Sequence, residues 1–221
     1  MTVYLVRHAR TRWSGARYCG RTDLPLSDEG LADACAAAAW LSTWGGRLAR
    51  IVSSPRARAM ESARPIAVPG ARSVEIDARL REVDFGDVEG LTFAELERGW
   101  PDLARRLGAG DLDIDWPNGE RARDVSARVA DFWRERTVSD AEEDLVVVTH
   151  GGPARYLLEL AGTAIAEVLA PAEIVALERT GAASPAALVP AEIVALGRTA
   201  AWRVVARWRP RGSQDGAEVS R

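Results

Sequence analysis

Two apolar runs, each ending in a histidine, place the strongest constraint on how this chain can fold. The first, TVYLVRHAR at 2–10, is rich in β-branched residues and carries Arg7 and His8 near its end. The second, DLVVVTH, ends in His150, just before Gly151 opens a helical pattern. Short apolar runs of this kind are typical of buried strands in an α/β sheet, and ligands bind at the carboxyl ends of such strands. If the two strands are neighbours, the only two histidines of the chain converge at one site.

Strand-like and helix-like patterns alternate along the chain. One helix is predicted from its N-cap at Ser27 to the Gly45-Gly46 stop, and another from Ser54 and Pro55 to the residue before Pro65. The pattern also predicts strands at 50–54, 73–76 and 201–208, a loop at 80–90, and helices between 91 and 136. This alternation predicts an α/β three-layer sandwich, with a mainly parallel central sheet, helices on both faces and a cap-like helical insertion at 91–136.

The composition predicts one domain and argues against several kinds of partner. The 221 residues, 47% of them hydrophobic, suit a single domain at 1–208, and the tail at 209–221 lacks apolar periodicity and is expected to be disordered. The formal charge of −3 provides no basic field for nucleic acid or an anionic membrane surface. There is no apolar run of about 18 residues that would span a bilayer. Two cysteines without metal-ligand spacing suit a reduced, cytoplasmic protein.

Four motifs resemble those of a known superfamily and occur in the same order. They are RHART at 7–11, SSPRARAMESA at 53–63, LREVDFGDVEG at 80–90 and VTHGG at 148–152. Four spaced motifs are far more specific than one short match. On these motifs the chain resembles the histidine phosphatase superfamily, which includes cofactor-dependent phosphoglycerate mutases and many small phosphatases. The resemblance implies a phosphoglycerate mutase-like fold, and YCGRTD at 18–23 with WPNGE at 116–120 is most similar to α-ribazole-type phosphatases.

The resemblance implies that His8 is the nucleophile of a phosphoryl transfer. A neutral imidazole, whose reference pKa is about 6.5, is nucleophilic near neutral pH and can form a phosphohistidine. Arg7, Arg58 and His150 match the family's phosphate pocket, in which positive donors surround the equatorial oxygens. All basic residues of this chain are arginine, so only its position can mark an arginine as a ligand. Arg56 is the alternative to Arg58.

Glu82 matches the family's proton-donor loop and is the expected general acid and base, with Asp84 as the alternative. A hydroxyl can replace the asparagine that family members often carry at position 14, and backbone amides at a helix start can face an anion. The weaker candidates for substrate binding are Ser14, Cys19, Gly20 and Gly151.

Together these residues predict a metal-independent phosphomonoesterase that hydrolyses a small phosphorylated metabolite through phosphohistidine, with no cofactor. Phosphoglycerate mutase-type phosphoryl transfer and a non-catalytic phosphate-binding protein are the alternatives. A two-histidine metal site is disfavoured because no carboxylates stand at helical or turn spacing around His8 and His150. The expected partner is a small phosphomonoester, with no nucleic acid and no membrane, and a homodimer is left open.

A short repeat makes the last strands of the sheet ambiguous. PAEIVALERT at 171–180 recurs as PAEIVALGRT at 190–199, which we interpret as a tandem duplication because a solenoid needs at least three copies. Only a short connection separates the second copy from AWRVVARW, and short connections favour antiparallel hairpins. The sequence therefore predicts that 192–197 pairs with 201–208, while 171–180 lies outside the main ladder.

Overall fold

A six-stranded sheet forms the centre of the computed structural model, which describes residues 1–43, 48–111, 113–137, 143–163, 168–180 and 202–210. Its strands are β1 (Thr2–Arg7), β2 (Leu48–Ser53), β3 (Val74–Ile76), β4 (Asp144–Thr149), β5 (Ile174–Arg179) and β6 (Trp202–Trp208). They lie in the order β3-β2-β4-β1-β5-β6. Of these six described strands, β5 runs opposite to the other five, since its pairings with β1 and β6 are both antiparallel and the remaining pairings are parallel. The mainly parallel α/β sheet predicted from the alternating pattern is confirmed.

The pairing of β1 with β4 brings the two histidine-bearing strand ends together. The two strands are parallel neighbours, with Arg7 opposite Thr149. The backbone amide of His8 continues the ladder by donating to the carbonyl of Thr149 at 2.8 Å. His8 and His150 therefore leave the sheet side by side at its carboxyl edge, where open α/β sheets bind ligands.

Helices cover both faces of the sheet. They are α1 (Asp28–Thr43), α2 (Ala57–Ala67), α3 (Phe93–Gly99), α4 (Pro101–Gly108), α5 (Ala122–Thr137) and α6 (Gly151–Leu160). Successive side chains of a strand point to opposite faces. Along β1, Val3 and Leu5 accordingly join the apolar core of α5 and α6, while Tyr4 and Val6 join that of α1 and α2. The predicted three-layer arrangement is confirmed.

The 91–136 region contains three helices that pack in two different ways. Helices α3 and α4 share a small apolar cluster of their own, formed by Val88, Leu96 and Ala104. Helix α5 instead packs on the main sheet, where Val129 and Phe132 are fully buried. Leu107 of α4 and, in the connection to α5, Ile114 and Trp116 line a cavity beside His8 at the carboxyl edge of the sheet.

The ends of the first two helices follow local chemistry, with one departure from prediction. Ser27 caps α1 as expected, because its hydroxyl accepts from the amide of Gly30 at 3.1 Å. The predicted stop of this helix at 45–46 lies outside the described residues. Helix α2 starts at Ala57 rather than Pro55 and continues through Pro65. A proline inside a helix removes one hydrogen bond, but Ile66 is 2% exposed, and its burial keeps the last turn against the sheet.

The prediction for the repeat is wrong, because the first copy forms β5 between β1 and β6. The second copy lies outside the described residues, as does 211–221 of the expected disordered tail. The two copies differ only by Glu178 in place of Gly197. Glu178 accepts from Nε of Arg203 on β6 at 2.8 Å, whereas glycine weakens a strand. Loop-closure entropy grows slowly with length, so the longer connection from the first copy adds little cost.

Candidate active site

His8 lies at the end of β1 with its ring fixed by one hydrogen bond. Its Nδ1 is 2.7 Å from the backbone carbonyl of Ala9. A carbonyl oxygen can only accept, so we assign the proton of the neutral ring to Nδ1. The other nitrogen, Nε2, then keeps its lone pair, and the ring lines a cavity at the sheet edge. The backbone thus selects the tautomer that a nucleophile needs.

His150 lies directly against His8. The two ring centroids are 5.0 Å apart with their planes at 61°. Nε2 of His150 is 2.7 Å from the hydroxyl of Ser54, which already accepts from the amide of Arg56 at 3.3 Å. We therefore assign the Ser54 hydroxyl as the donor to Nε2. The neutral ring of His150 then carries its own proton on Nδ1. That Nδ1 is buried and has no hydrogen-bond partner in the described part of the chain.

Two arginines bring positive charge to the same place. Arg58 is fully buried, and its two terminal nitrogens donate to three carbonyls of the loop at 19–22, at 2.9 to 3.0 Å. Arg7 donates to the carbonyl of Leu169. The Nε atoms of both arginines are buried without a hydrogen-bond partner among the described residues. Unpaired buried donors of this kind are costly, and an anion bound between them would satisfy them.

Burial and neighbouring charge keep both histidines neutral. Burial lowers the pKa of His8 well below its usual 6.5, and the nearby Arg7 and Arg58 lower it further. Burial also lowers the pKa of His150 well below that value, and the adjacent His8 adds to the effect. At neutral pH the His8 lone pair is therefore available, and the positive charge of the site resides on the arginines.

Glu82 holds a carboxyl group beside these cations. It is 8% exposed, and its Oε1 accepts from the amides of Val83 at 3.0 Å and Gly152 at 3.2 Å. Burial raises the pKa of this carboxyl, although the Val83 amide and Arg58 oppose the change. The raised pKa favours the protonated form that a general acid requires.

A buried ion pair fixes the backbone that carries Glu82. Arg128 of α5 donates to both carboxylate oxygens of Glu120, at 2.7 and 3.0 Å, and both side chains are 9% exposed. The same guanidinium donates to the carbonyls of Arg79 and Arg81, the latter at 2.8 Å. Glu120 in turn accepts from the amide of Asp84 at 3.3 Å. The segment at 79–84 is thereby held on both sides of Glu82.

Side chains of the site, among them His8 and Glu82, line a cavity of about 290 Å³. Among the residues predicted for the site, those that line it are Arg7, His8, Ser14, Cys19, Arg58, Glu82 and Gly151. His150 and Gly20 do not line it: His150 packs behind His8, and Gly20 presents its carbonyl to Arg58.

The two alternatives named from the sequence also lie outside the lining. Arg56 is the N-cap residue of α2. The carboxylate of Asp84 accepts from the amide of Gly86 at 2.9 Å and pairs with Arg21 at 3.6 Å. Neither side chain faces the cavity that Arg58 and Glu82 share.

Comparison with known proteins decides the family. The model of the histidine phosphatase superfamily (branch 1) matches residues 3–182, most of the chain. The chain belongs to this superfamily. The predicted resemblance is thus confirmed at the level of the superfamily.

Two relatives and one solved structure show how far the likeness extends. The bifunctional protein Rv2228c of Mycobacterium tuberculosis is 41% identical over 169 residues, which are 76% of this chain and 46% of that protein. The chain thus spans about half the length of this relative. The glucosyl-3-phosphoglycerate phosphatase of Mycolicibacterium vanbaalenii is 35% identical over 160 residues, covering 68% of this chain and 69% of that one. The structure of mycobacterial glucosyl-3-phosphoglycerate phosphatase Rv2419c with VO3 is 30% identical, with a TM-score of 0.71, and covers 80% of this chain and 92% of that chain.

Sequence reasoning about this superfamily member quoted the stretches that hold Tyr18, Phe85 and Trp116 but assigned no role to the aromatic side chains of the cavity wall. Five aromatic side chains line it: Trp13, Tyr18, Phe85, Trp116 and Tyr156. The first two lie in the long irregular connection after β1, whose length signals a functional loop. The others come from three separate segments, and no spacing in the sequence relates them. The ion pair of Arg128 and Glu120 was also not predicted, because Arg128 binds carbonyl groups of a loop that is far away in the sequence.

Three further properties concern metal binding, membrane spanning and the thiol of Cys19 in the described part of the molecule. No group of three or more His, Cys, Asp or Glu side chains within the described ranges could hold a metal ion. None of the helices in those ranges combines the length and the apolar character needed to cross a membrane. Cys19 lines the cavity, and burial raises the pKa of its thiol, which favours the unreactive protonated form.

Proposed function

We propose that this chain is a metal-independent phosphomonoesterase that hydrolyses a small phosphorylated metabolite through a phosphohistidine on His8. The observation that carries the proposal is the fixed ring of His8. Its Nδ1 donates to the Ala9 carbonyl, which leaves the lone pair on Nε2 of a ring that lines the cavity together with two arginines and the buried Glu82. A nucleophile, cationic donors and a proton source in one cavity are the parts that phosphoryl transfer requires.

In the first step, Nε2 of His8 attacks the phosphorus and the bond from phosphorus to the leaving oxygen breaks. Glu82 transfers its proton to that oxygen, so the product leaves as a neutral alcohol. Charge develops on the three equatorial oxygens, and the Nε–H groups of Arg7 and Arg58, which line the cavity, are the donors available to it. The unpartnered Nδ1–H of His150 is buried against His8, next to the phosphoryl group that His8 would carry. The phosphoryl group is now carried by His8, which remains bonded to the Ala9 carbonyl through Nδ1.

In the second step, water attacks the phosphohistidine. Glu82, now a carboxylate, accepts a proton from the water as the new bond to phosphorus forms and the bond from phosphorus to Nε2 breaks. Inorganic phosphate leaves, and Glu82 is protonated again. The ion pair of Arg128 and Glu120 keeps the carboxyl group of Glu82 in place through both steps, because the pair binds the backbone on each side of Glu82.

Phosphate release from a panel of phosphorylated metabolites, measured in chelator, tests the proposal. We expect release of inorganic phosphate with full activity in EDTA and loss of turnover in His8→Ala. A mutase-type enzyme would instead transfer the phosphoryl group to a second hydroxyl compound in preference to water, so the assay includes phosphoglycerate acceptors. A wild-type protein that releases no phosphate from any member, or a His8→Ala protein with unchanged turnover, would refute the proposal.

A further inference from the structure

Five aromatic side chains line the cavity outside the proposed phosphate-binding residues. Tyr18, Phe85 and Trp116 contact one another, with ring centroids 4.6 to 5.7 Å apart. Trp13 from the loop after β1 and Tyr156 from α6 line the same cavity. Burial raises the pKa of Tyr156 to about 12 and also raises that of Tyr18, so both phenols are neutral. We call these five side chains the aromatic wall.

The charged residues that accompany the aromatic wall are engaged with other parts of the chain. Arg17 donates to the carbonyl of Gly90 at 2.6 Å and pairs with Glu95 at 3.5 Å. Arg155 donates to the carbonyl of Gly110. Asp111 is bound by Arg106 at 2.7 Å. Arg155 keeps its charge but lies near the carboxylate of Asp111, which also lines the cavity and would repel a second anionic group of a substrate.

We propose that the site selects phosphomonoesters of an uncharged, aromatic alcohol over those whose alcohol carries a carboxylate. This inference rests on the proposed function, since it concerns the leaving group of the same reaction. An aromatic leaving group packs on the aromatic wall by offset or edge-to-face contact. A carboxylate there would lose its water beside the like charge of Asp111, while Arg17 and Arg155 already lie near carboxylates of the chain, so its burial is costly.

Competition among three substrates tests the inference. Benzyl phosphate, glycerol 3-phosphate and 3-phosphoglycerate all release an aliphatic alcohol, so they make similar chemical demands but differ in aromatic and anionic character. We expect kcat/KM for benzyl phosphate to exceed that for glycerol 3-phosphate by about tenfold or more, the lower range of discrimination by an apolar pocket. The value for 3-phosphoglycerate should be lowest. Equal or higher kcat/KM for 3-phosphoglycerate would overturn the inference while leaving the proposed phosphatase activity intact.

Two variants assign the preference to the wall. Trp13→Ala should reduce the ratio of benzyl to glycerol phosphate kcat/KM several-fold, mainly by raising KM for the benzyl ester, and Trp13→Phe should restore part of it. Phe93→Ala is the control, because Phe93 is an exposed aromatic residue of α3 that does not line the cavity. A ratio that is unchanged in Trp13→Ala, or reduced equally in Phe93→Ala, would refute the role of the wall.

Binding of substrate mimics tests the proposed selectivity independently of the proposed phosphatase activity. Benzylphosphonate and 3-phosphonopropionate cannot be hydrolysed at an oxygen bridge, so calorimetry measures their affinity whether or not the chain turns over esters. Tighter binding of benzylphosphonate by about tenfold supports the selectivity. Tighter binding of 3-phosphonopropionate contradicts it. If no ester releases phosphate, the proposed function fails, and the calorimetric comparison still decides what the wall prefers.

Discussion

Replacing Arg128 with methionine should destabilise the protein and impair the action of Glu82 at the same time. The variant keeps most of the aliphatic stem but removes the guanidinium that bonds Glu120 and the carbonyls of Arg79 and Arg81. Removing one member of a buried ion pair costs about 3 to 5 kcal/mol. Glu120 retains Arg81 Nη2 at 3.0 Å and the Asp84 amide at 3.3 Å, so its carboxylate is not left alone. We therefore expect the free energy of unfolding to fall by about 3 kcal/mol, the lower end of this range.

The stability loss is measured by thermal and denaturant unfolding. For a chain of this size, about 3 kcal/mol corresponds to a fall in Tm of roughly 6 to 12 °C. Glu120→Gln is the matched variant, since it keeps the shape and one acceptor oxygen. Because the two side chains contact each other, the double variant should lose less than the sum of the single losses, with a coupling of about 1 to 3 kcal/mol.

The catalytic effect distinguishes loss of Glu82 positioning from general destabilisation. Below its lowered Tm, Arg128→Met should lose turnover strongly on an alkyl phosphate, which needs a proton donor, and weakly on p-nitrophenyl phosphate, which does not. Vanadate inhibition should change little, because Arg7, Arg58 and His150 are not bonded to Arg128. Arg128→Lys should recover part of the stability and little of the alkyl phosphate activity, since an ammonium group cannot span both carbonyls and the carboxylate. A destabilisation below about 1 kcal/mol, or equal losses on both substrates, would refute the positioning argument.

Three further predictions concern the acid, the metal and the repeat. Glu82→Gln should slow turnover of alkyl phosphates by about 10² to 10⁴-fold. The proposed mechanism requires neutral His8 and protonated Glu82 in the free enzyme. Because the pKa of His8 is lowered from 6.5 and that of Glu82 is raised from 4.5, kcat/KM should fall at acid pH with a midpoint below 6.5 and at alkaline pH with a midpoint above 4.5. Glu82→Gln should lose the alkaline fall, and a pH profile in which it persists would move the donor to another residue. Activity should survive EDTA, and a loss that Mg²⁺ or Zn²⁺ restores would assign the chemistry to a metal. Deleting 181–199 or 171–189 should leave a folded enzyme, the second less stable by about 1 kcal/mol because Gly197 replaces Glu178 in the strand; a 181–199 deletion that cannot fold would show that the sheet needs more than the first copy.

The sequence predicts the sheet well because its signals there are local and repeated. Apolar runs such as LVVV at 145–148 are long enough to mark β4, and the Ser27 cap marks the start of α1. Local signals of this kind do not predict the end of α2 or the identity of β5. The helix continues through Pro65 where Ile66 is buried, and the first repeat copy, which forms β5, differs from the second at Glu178, whose side chain contacts Arg203 across the sheet. Such tertiary contacts override local propensity, and a single sequence does not display them.

The candidate site also combines residues that the sequence predicts with features that only the structure shows. His8, His150, Arg58 and Glu82 lie in short motifs, so their positions could be predicted, and the structure brings the four together at the sheet edge. The tautomer of His8 could not be predicted, because it depends on the distance from Nδ1 to the Ala9 carbonyl. The aromatic wall was equally hidden, since loops far apart in the sequence assemble it. The residues of the proposed chemistry are therefore predictable from motifs, whereas the proposed selectivity rests on the tertiary arrangement of loops.

Trapping the phosphorylated enzyme tests the central claim most directly. Wild type and Glu82→Gln are mixed with p-nitrophenyl phosphate, quenched in alkali, in which phosphohistidine survives, and digested for mass spectrometry. The account predicts a phosphoryl group on His8 that is labile in acid. It should accumulate more in Glu82→Gln, where attack by water is slowed while a good leaving group still departs. No phosphorylated peptide should appear in His8→Ala. A phosphorylated intermediate in His8→Ala, or turnover with no phosphate on His8 of either active protein, would contradict it.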